Sequence, residues 1–89
     1  MTYAFEFTAA ARRRLKAIDR TTALRLLHAL SRLGDDPYRE DADVRKPAGH
    51  DDLYRLRVGV YRIAYTIDDG KLVILVVEVG HRRETYGRV

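Results

Sequence analysis

At 89 residues the chain is long enough for a single domain, 1–89, with one hydrophobic core. Hydrophobic residues make up 46% and charged residues 34%, and no stretch approaches the roughly 20 apolar residues of a membrane span, so a globular domain is expected and a membrane protein is not. The absence of cysteine excludes disulfides and thiolate metal sites; with no apolar leader in MTYAFEFTAAARRR it points to the cytoplasm, while the net charge of +4 fits nucleic acid without identifying it.

Tyr3 to Phe7 is aromatic and alternating, with Tyr3, Phe5 and Phe7 on one side, and predicts a first strand. Thr8 is placed to cap a helix running to about Ile18, in which Ala11, Leu15 and Ile18 fall at helical spacing and Arg12, Arg13, Arg14 and Lys16 face mostly outward. Residues from Asp19 to Thr22 break that pattern and can cap a second helix, from about Thr22 to Leu33, striped by Ala23, Leu26, Leu27, Leu30 and Leu33. Gly34 suits the left-handed residue that ends a helix, with Pro37 close behind. Asp35 to Asp52 is one long irregular stretch with both prolines and an acidic cluster, Glu40, Asp41 and Asp43. Leu53 to Tyr65 then reads as two strands joined at Gly59, Asp68-Asp69-Gly70 as a turn, and Leu72 to Val79 as a central strand covered on both faces. The expected fold is α+β in the order β-α-α-β-β-β: two N-terminal helices packed on a mainly antiparallel four-stranded sheet.

In LYRLRVGVYRIAY the residues Tyr54, Leu56 and Val58 alternate with Arg55 and Arg57, and Tyr61, Ile63 and Tyr65 alternate with Arg62 and Ala64. Alternation sends one set to each face. Three arginines therefore share the face that the helices leave open, with no acid between Leu53 and Ile67. A lone strand arginine is usually solvated surface, but three together point to an anionic ligand, because the guanidinium fork matches phosphate oxygens. The tail HRRETY places His81, Arg82 and Tyr86 just past the last strand, where they would curl over the arginine face. His28 reads as helix surface, and His50 with Asp51 and Asp52 lacks the spacing of a metal site. The sequence contains no P-loop, GxGxxG, HExxH or GxSxG, so no cofactor and no metal are expected.

The RVGVYRIAYTIDDG core, followed after the apolar strand by GHRRETY and preceded by Lys46 and Gly49, resembles the RelE/ParE superfamily of bacterial toxins along essentially the whole chain. The resemblance implies a fold like that of small microbial ribonucleases and the toxin role in a type II toxin–antitoxin system. RelE-type members enter the ribosomal A site and cut mRNA; ParE-type members share the fold, poison DNA gyrase and lack the ribonuclease residues. The RelE site carries over onto Arg55 and Arg57, Arg62, Arg82 and Tyr86. These positions are filled with compatible chemistry, which favours a ribosome-dependent endoribonuclease. Lys46 and Arg83 are expected to contact RNA alongside Arg55 and Arg57.

One departure matters. The first two positions are lysines in the best-known member, and one of them is thought to act as general base; here both are arginines, which cannot lose a proton. His81 is therefore expected to take the proton from a ribose 2′-OH, leaving a 2′,3′-cyclic phosphate, with Arg62 and Arg82 stabilising the transition state and Tyr86 stacking on or orienting a base. The implied partners are an acidic RelB-like antitoxin, the ribosome and mRNA, within a hetero-oligomeric complex that binds DNA through the antitoxin. The alternatives are a ParE-like gyrase inhibitor without nuclease activity, and a degenerate toxin retained only as antitoxin and corepressor partner.

Overall fold

The computed structural model describes residues 2–39, 43–46 and 52–81. Strand β1 (Ala4–Phe7) leads directly into helix α1 (Ala9–Ala17) and helix α2 (Arg20–Asp35). Strands β2 (Val44–Arg45), β3 (Tyr54–Val58), β4 (Tyr61–Asp68) and β5 (Val73–His81) follow. They form one sheet in the order β1-β5-β4-β3-β2, with β1 parallel to β5 and every other pairing antiparallel. The α+β class and the two-helix layer are as expected. The sheet has five strands rather than four, because Val44 and Arg45, inside the stretch expected to be irregular, pair with Leu56 and Arg55. A two-residue strand at an edge is too short to leave a periodic signal.

Both helices start where a side chain satisfies an open backbone N–H. Thr8 Oγ1 accepts from the Ala11 amide at 3.1 Å, and an Asp19 carboxylate oxygen accepts from the Thr22 amide at 3.0 Å. The second cap places the start of α2 at Arg20, two residues before the expected one. Ala11, Leu26, Leu30 and Leu33 pack against Leu56, Ile63, Tyr65, Ile74, Val76 and Val79, all on one face of the sheet. Gly34 does not end the helix; it lies inside α2, buried, where a Cβ would stand 3.0 Å from the Phe5 ring. The Tyr3 amide donates to its carbonyl at 2.7 Å, so the missing side chain lets the start of β1 dock on α2.

Gly59 has a φ of 61° and closes the β3–β4 hairpin as expected. In the β4–β5 turn the left-handed residue is Leu72, with a φ of 55°, rather than Gly70. Strand β5 is interior, between β1 and β4, but the helices cover only one of its faces; Val73, Leu75 and Val77 are half-buried. No helix is long and apolar enough to cross a membrane, among the described residues.

Candidate functional site

The hairpin register fixes the site. Arg57 pairs with Arg62, and Arg55 pairs with Ala64. Residues opposite one another in an antiparallel pair share a face, so Arg55, Arg57 and Arg62 stand together on the face away from the helices. Leu56 and Ile63, one position along, go into the core. On the outer side of β3, Arg45 pairs with Arg55 and adds a fourth arginine to that face. Asp43, Arg45, Arg55, Leu56, Arg57 and Arg62 line a shallow recess of about 360 Å³.

The face is not free of carboxylates. Asp43 accepts from Arg57 Nε at 2.8 Å, and its carbonyl accepts from the Arg57 amide at 2.9 Å. The expectation of an arginine face without an acid holds within the hairpin and fails at its edge, where β2 brings Asp43 in. The Arg55 guanidinium donates to the Leu53 carbonyl at 3.4 Å. Lys46 is exposed at the end of β2. Arg45 was not singled out from the sequence, because nothing in a short loop segment reveals which strand it pairs with.

The tail divides at its first residue. His81 is the last residue of β5 and pairs with Tyr61, whose ring packs against the core; the imidazole meets that ring edge-on at 5.3 Å. Arg62 pairs with Gly80 on the opposite face. His81 therefore does not curl over the arginines, and the expectation that it faces the site as proton acceptor is corrected by the phase of β5. Arg82, Arg83 and Tyr86 lie outside the described residues.

A second polar cluster holds the segment that leads into β2. Asp69, in the β4–β5 turn, accepts from the Tyr3 hydroxyl and, at 2.6 Å, from the Tyr38 hydroxyl. These bonds lower the Asp69 carboxyl below its ordinary range and raise both tyrosines above theirs. The Tyr38 ring meets Tyr54 edge-on at 6.3 Å, and Tyr54 stacks on Tyr65 at 5.5 Å. The stretch after α2 is thus tied to the turn and to β3, on the way to Asp43 and Arg45.

Residues 5–86 match the family described as ParE toxin of type II toxin–antitoxin system, parDE. The chain is 33% identical to toxin RelG of Mycobacterium tuberculosis (strain ATCC 25618 / H37Rv) over 89 residues, 99% of this chain and 100% of RelG. Its fold superposes on the archaeal RelE–RelB complex from Pyrococcus horikoshii OT3 with a TM-score of 0.79 and 30% identity, covering 100% of both chains. It superposes on a variant of the E. coli toxin RelE in the free state with a TM-score of 0.78 and 26% identity, covering 98% of this chain and 93% of that one.

Proposed function

The chain belongs to the RelE/ParE superfamily of type II toxins, and from that premise we propose that it is a ribosome-dependent mRNA endoribonuclease. The observation that carries this proposal is the four-arginine recess. Arg45, Arg55, Arg57 and Arg62 line one concavity on the uncovered sheet face. Fixed guanidinium groups suit a bound phosphodiester and the extra negative charge that develops when its phosphorus is attacked.

In this mechanism a ribose 2′-oxygen attacks the adjacent phosphorus, the bond to the 5′-oxygen breaks, and a 2′,3′-cyclic phosphate is left. Arg62, in the interior strand β4, stabilises the phosphorane-like charge. Arg55 and Arg57 hold the backbone of the message, and Arg45 and Lys46 extend that contact at the sheet edge. Arg82 and Tyr86, carried over from the family's pattern, would complete the site as a second charge stabiliser and a base-stacking ring, with Arg83 as a further RNA contact. The partners are the ribosomal A site with its mRNA, and an acidic RelB-like antitoxin, in keeping with similar structures solved as toxin–antitoxin complexes. Such a complex would be hetero-oligomeric, cytoplasmic, and DNA-binding through the antitoxin.

A second reading, a gyrase inhibitor without nuclease activity, is favoured by the ParE description of the matching family. The two separate on one experiment. The chain is expressed without an antitoxin, and the 5′ ends of cellular mRNA are mapped alongside the supercoiling state of a reporter plasmid. Codon-phased cuts on translated messages, with normal supercoiling, are expected. Uncut messages with impaired supercoiling would sink the nuclease reading. Uncut messages with normal supercoiling would leave the degenerate toxin, acting only through its antitoxin.

A further inference from the structure

Resting on the nuclease reading above, we infer that the Glu78 carboxylate accepts the 2′-hydroxyl proton. The four arginines of the recess cannot accept it, because a guanidinium stays charged. His81 cannot, because it pairs with Tyr61 on the core face. Glu78 is exposed and pairs with Ala64, which in turn pairs with Arg55 on the recess face. Arg62 is the diagonal neighbour of Glu78, since it pairs with Gly80 two residues along. Diagonal positions stand about 7–8 Å apart at Cα, within reach of two long side chains. Arg55 lies two strands over, about 10 Å away at the usual spacing. Between these three residues the floor is Ala64 and Gly80, which fill almost none of the space above the sheet.

The strand is built to put Glu78 there. Ile74 and Val76 point into the core, and strict alternation would send residue 78 in after them. Instead the ladder slips: Tyr65 pairs with Val76 and Ala64 with Glu78, leaving Val77 as the extra residue of a bulge. Val79 takes the core position and Glu78 turns out to the arginine face. The bulge is tied down by Thr8, whose hydroxyl donates to the Val77 carbonyl at 2.6 Å and whose amide donates to the Val76 carbonyl at 3.0 Å.

Among the described residues, the other acids of this face are placed differently. Asp43 is engaged by Arg57. Asp68 lies four residues from Ala64, about 13 Å along β4, and accepts from the Lys71 amide. Glu6 is on β1, opposite Leu75, on the far side of β5 from the recess. In the step itself the 2′-oxygen gives its proton to Glu78 and its electron pair to phosphorus. The bond to the 5′-oxygen breaks, that oxygen takes a proton from water, and Glu78 returns its proton to solvent.

The test uses the full chain on ribosomes carrying a defined mRNA, with the unaltered protein, Glu78→Gln and Glu78→Asp. General-base removal typically costs about 10²–10⁴ in rate, so Glu78→Gln is expected to slow single-turnover cleavage by that factor. Its ribosome affinity should be equal or tighter, because one negative charge has left a phosphate-binding face. Glu78→Asp keeps the carboxylate and is expected to cleave faster than Glu78→Gln. Cleavage by Glu78→Gln at the unaltered rate, equal rates for the Gln and Asp variants, or a loss of affinity matching the loss of rate would each overturn this inference alone. No cleavage by the unaltered chain would overturn the nuclease reading, and this inference with it.

Discussion

Arg57 and Arg62 stand directly opposite one another across β3 and β4. Like charges in that position repel. Asp43, the residue before the adjoining edge strand, holds Arg57. On the nuclease reading, the facing pair serves phosphate binding more than folding. Replacing Arg62 with Gln should therefore separate the two properties. Removing one preorganised charge stabiliser typically costs about 10²–10³ in rate, and that loss is expected in ribosome-dependent cleavage. The melting temperature should not fall. A variant that melts earlier and loses cleavage only in proportion would mean that Arg62 serves the fold.

The Asp43–Arg57 pair gives a second prediction. Both side chains are 59% exposed, which limits such a pair to about 0–1 kcal/mol. Asp43→Asn is expected to lose no more than that in low salt. The difference should shrink in 0.5–1 M salt, where the screening length falls to only a few ångströms. Phosphate affinity should rise, since Arg57 is then released toward the ligand. Urea titrations at two salt concentrations, with binding of a short RNA alongside, measure both effects.

Asp69 predicts the pH dependence. Its two tyrosine bonds depress the carboxyl in the folded state below the roughly 3.9 of an unfolded aspartate. The stabilisation from this group is therefore complete above about pH 4 and is lost as pH falls through the folded value. Tyr3 and Tyr38 have the opposite sign: their hydroxyls are raised, so their contribution is complete below about pH 10 and lost at higher pH. Melting curves from pH 3 to 6 should fall more steeply toward acid for the unaltered chain than for Asp69→Asn. Parallel curves would show that the cluster is not coupled to folding.

Tyr65 carries a buried hydroxyl with no hydrogen-bond partner among the described residues, and burial pushes its pKa up to about 12. An unsatisfied buried donor costs on the order of 1–3 kcal/mol. Tyr65→Phe keeps the ring stacked on Tyr54 and removes that cost. A gain near the low end of the range should raise the melting temperature of a domain of this size by about 4–8 °C, with cleavage unchanged. A lower melting temperature would show that the hydroxyl is satisfied in solution.

The sequence made the helices, their N-terminal caps and the shared face of Arg55, Arg57 and Arg62 legible, because each depends on spacing along the chain. The errors fall where spacing is insufficient. Gly34 has the chemistry of a helix end, yet its role depends on Phe5, nearly thirty residues away, which only tertiary packing brings near. Arg45 joined the site through a strand of two residues. The sequence gives no sign of where Glu78 points and suggests the wrong face for His81, and a single bulge at Val77 sets the phase of both. A bulge leaves no periodic trace inside a nearly continuous apolar run, so neither side of β5 was readable before the ladder was seen.

The parallel pairing of β1 with β5 also has a consequence in time. Ala4 to Phe7 leave the ribosome well before their partners Val73 to Val76 have been made. The β3–β4 hairpin can close on local contacts, but the strand that fastens it to β1 does not exist until translation has passed residue 73. Pairing at so long a separation in sequence is slow to form. A nascent chain therefore carries its arginines on an unfinished sheet, and in the interval before β5 docks Glu78 and Arg62 are not yet on adjoining strands.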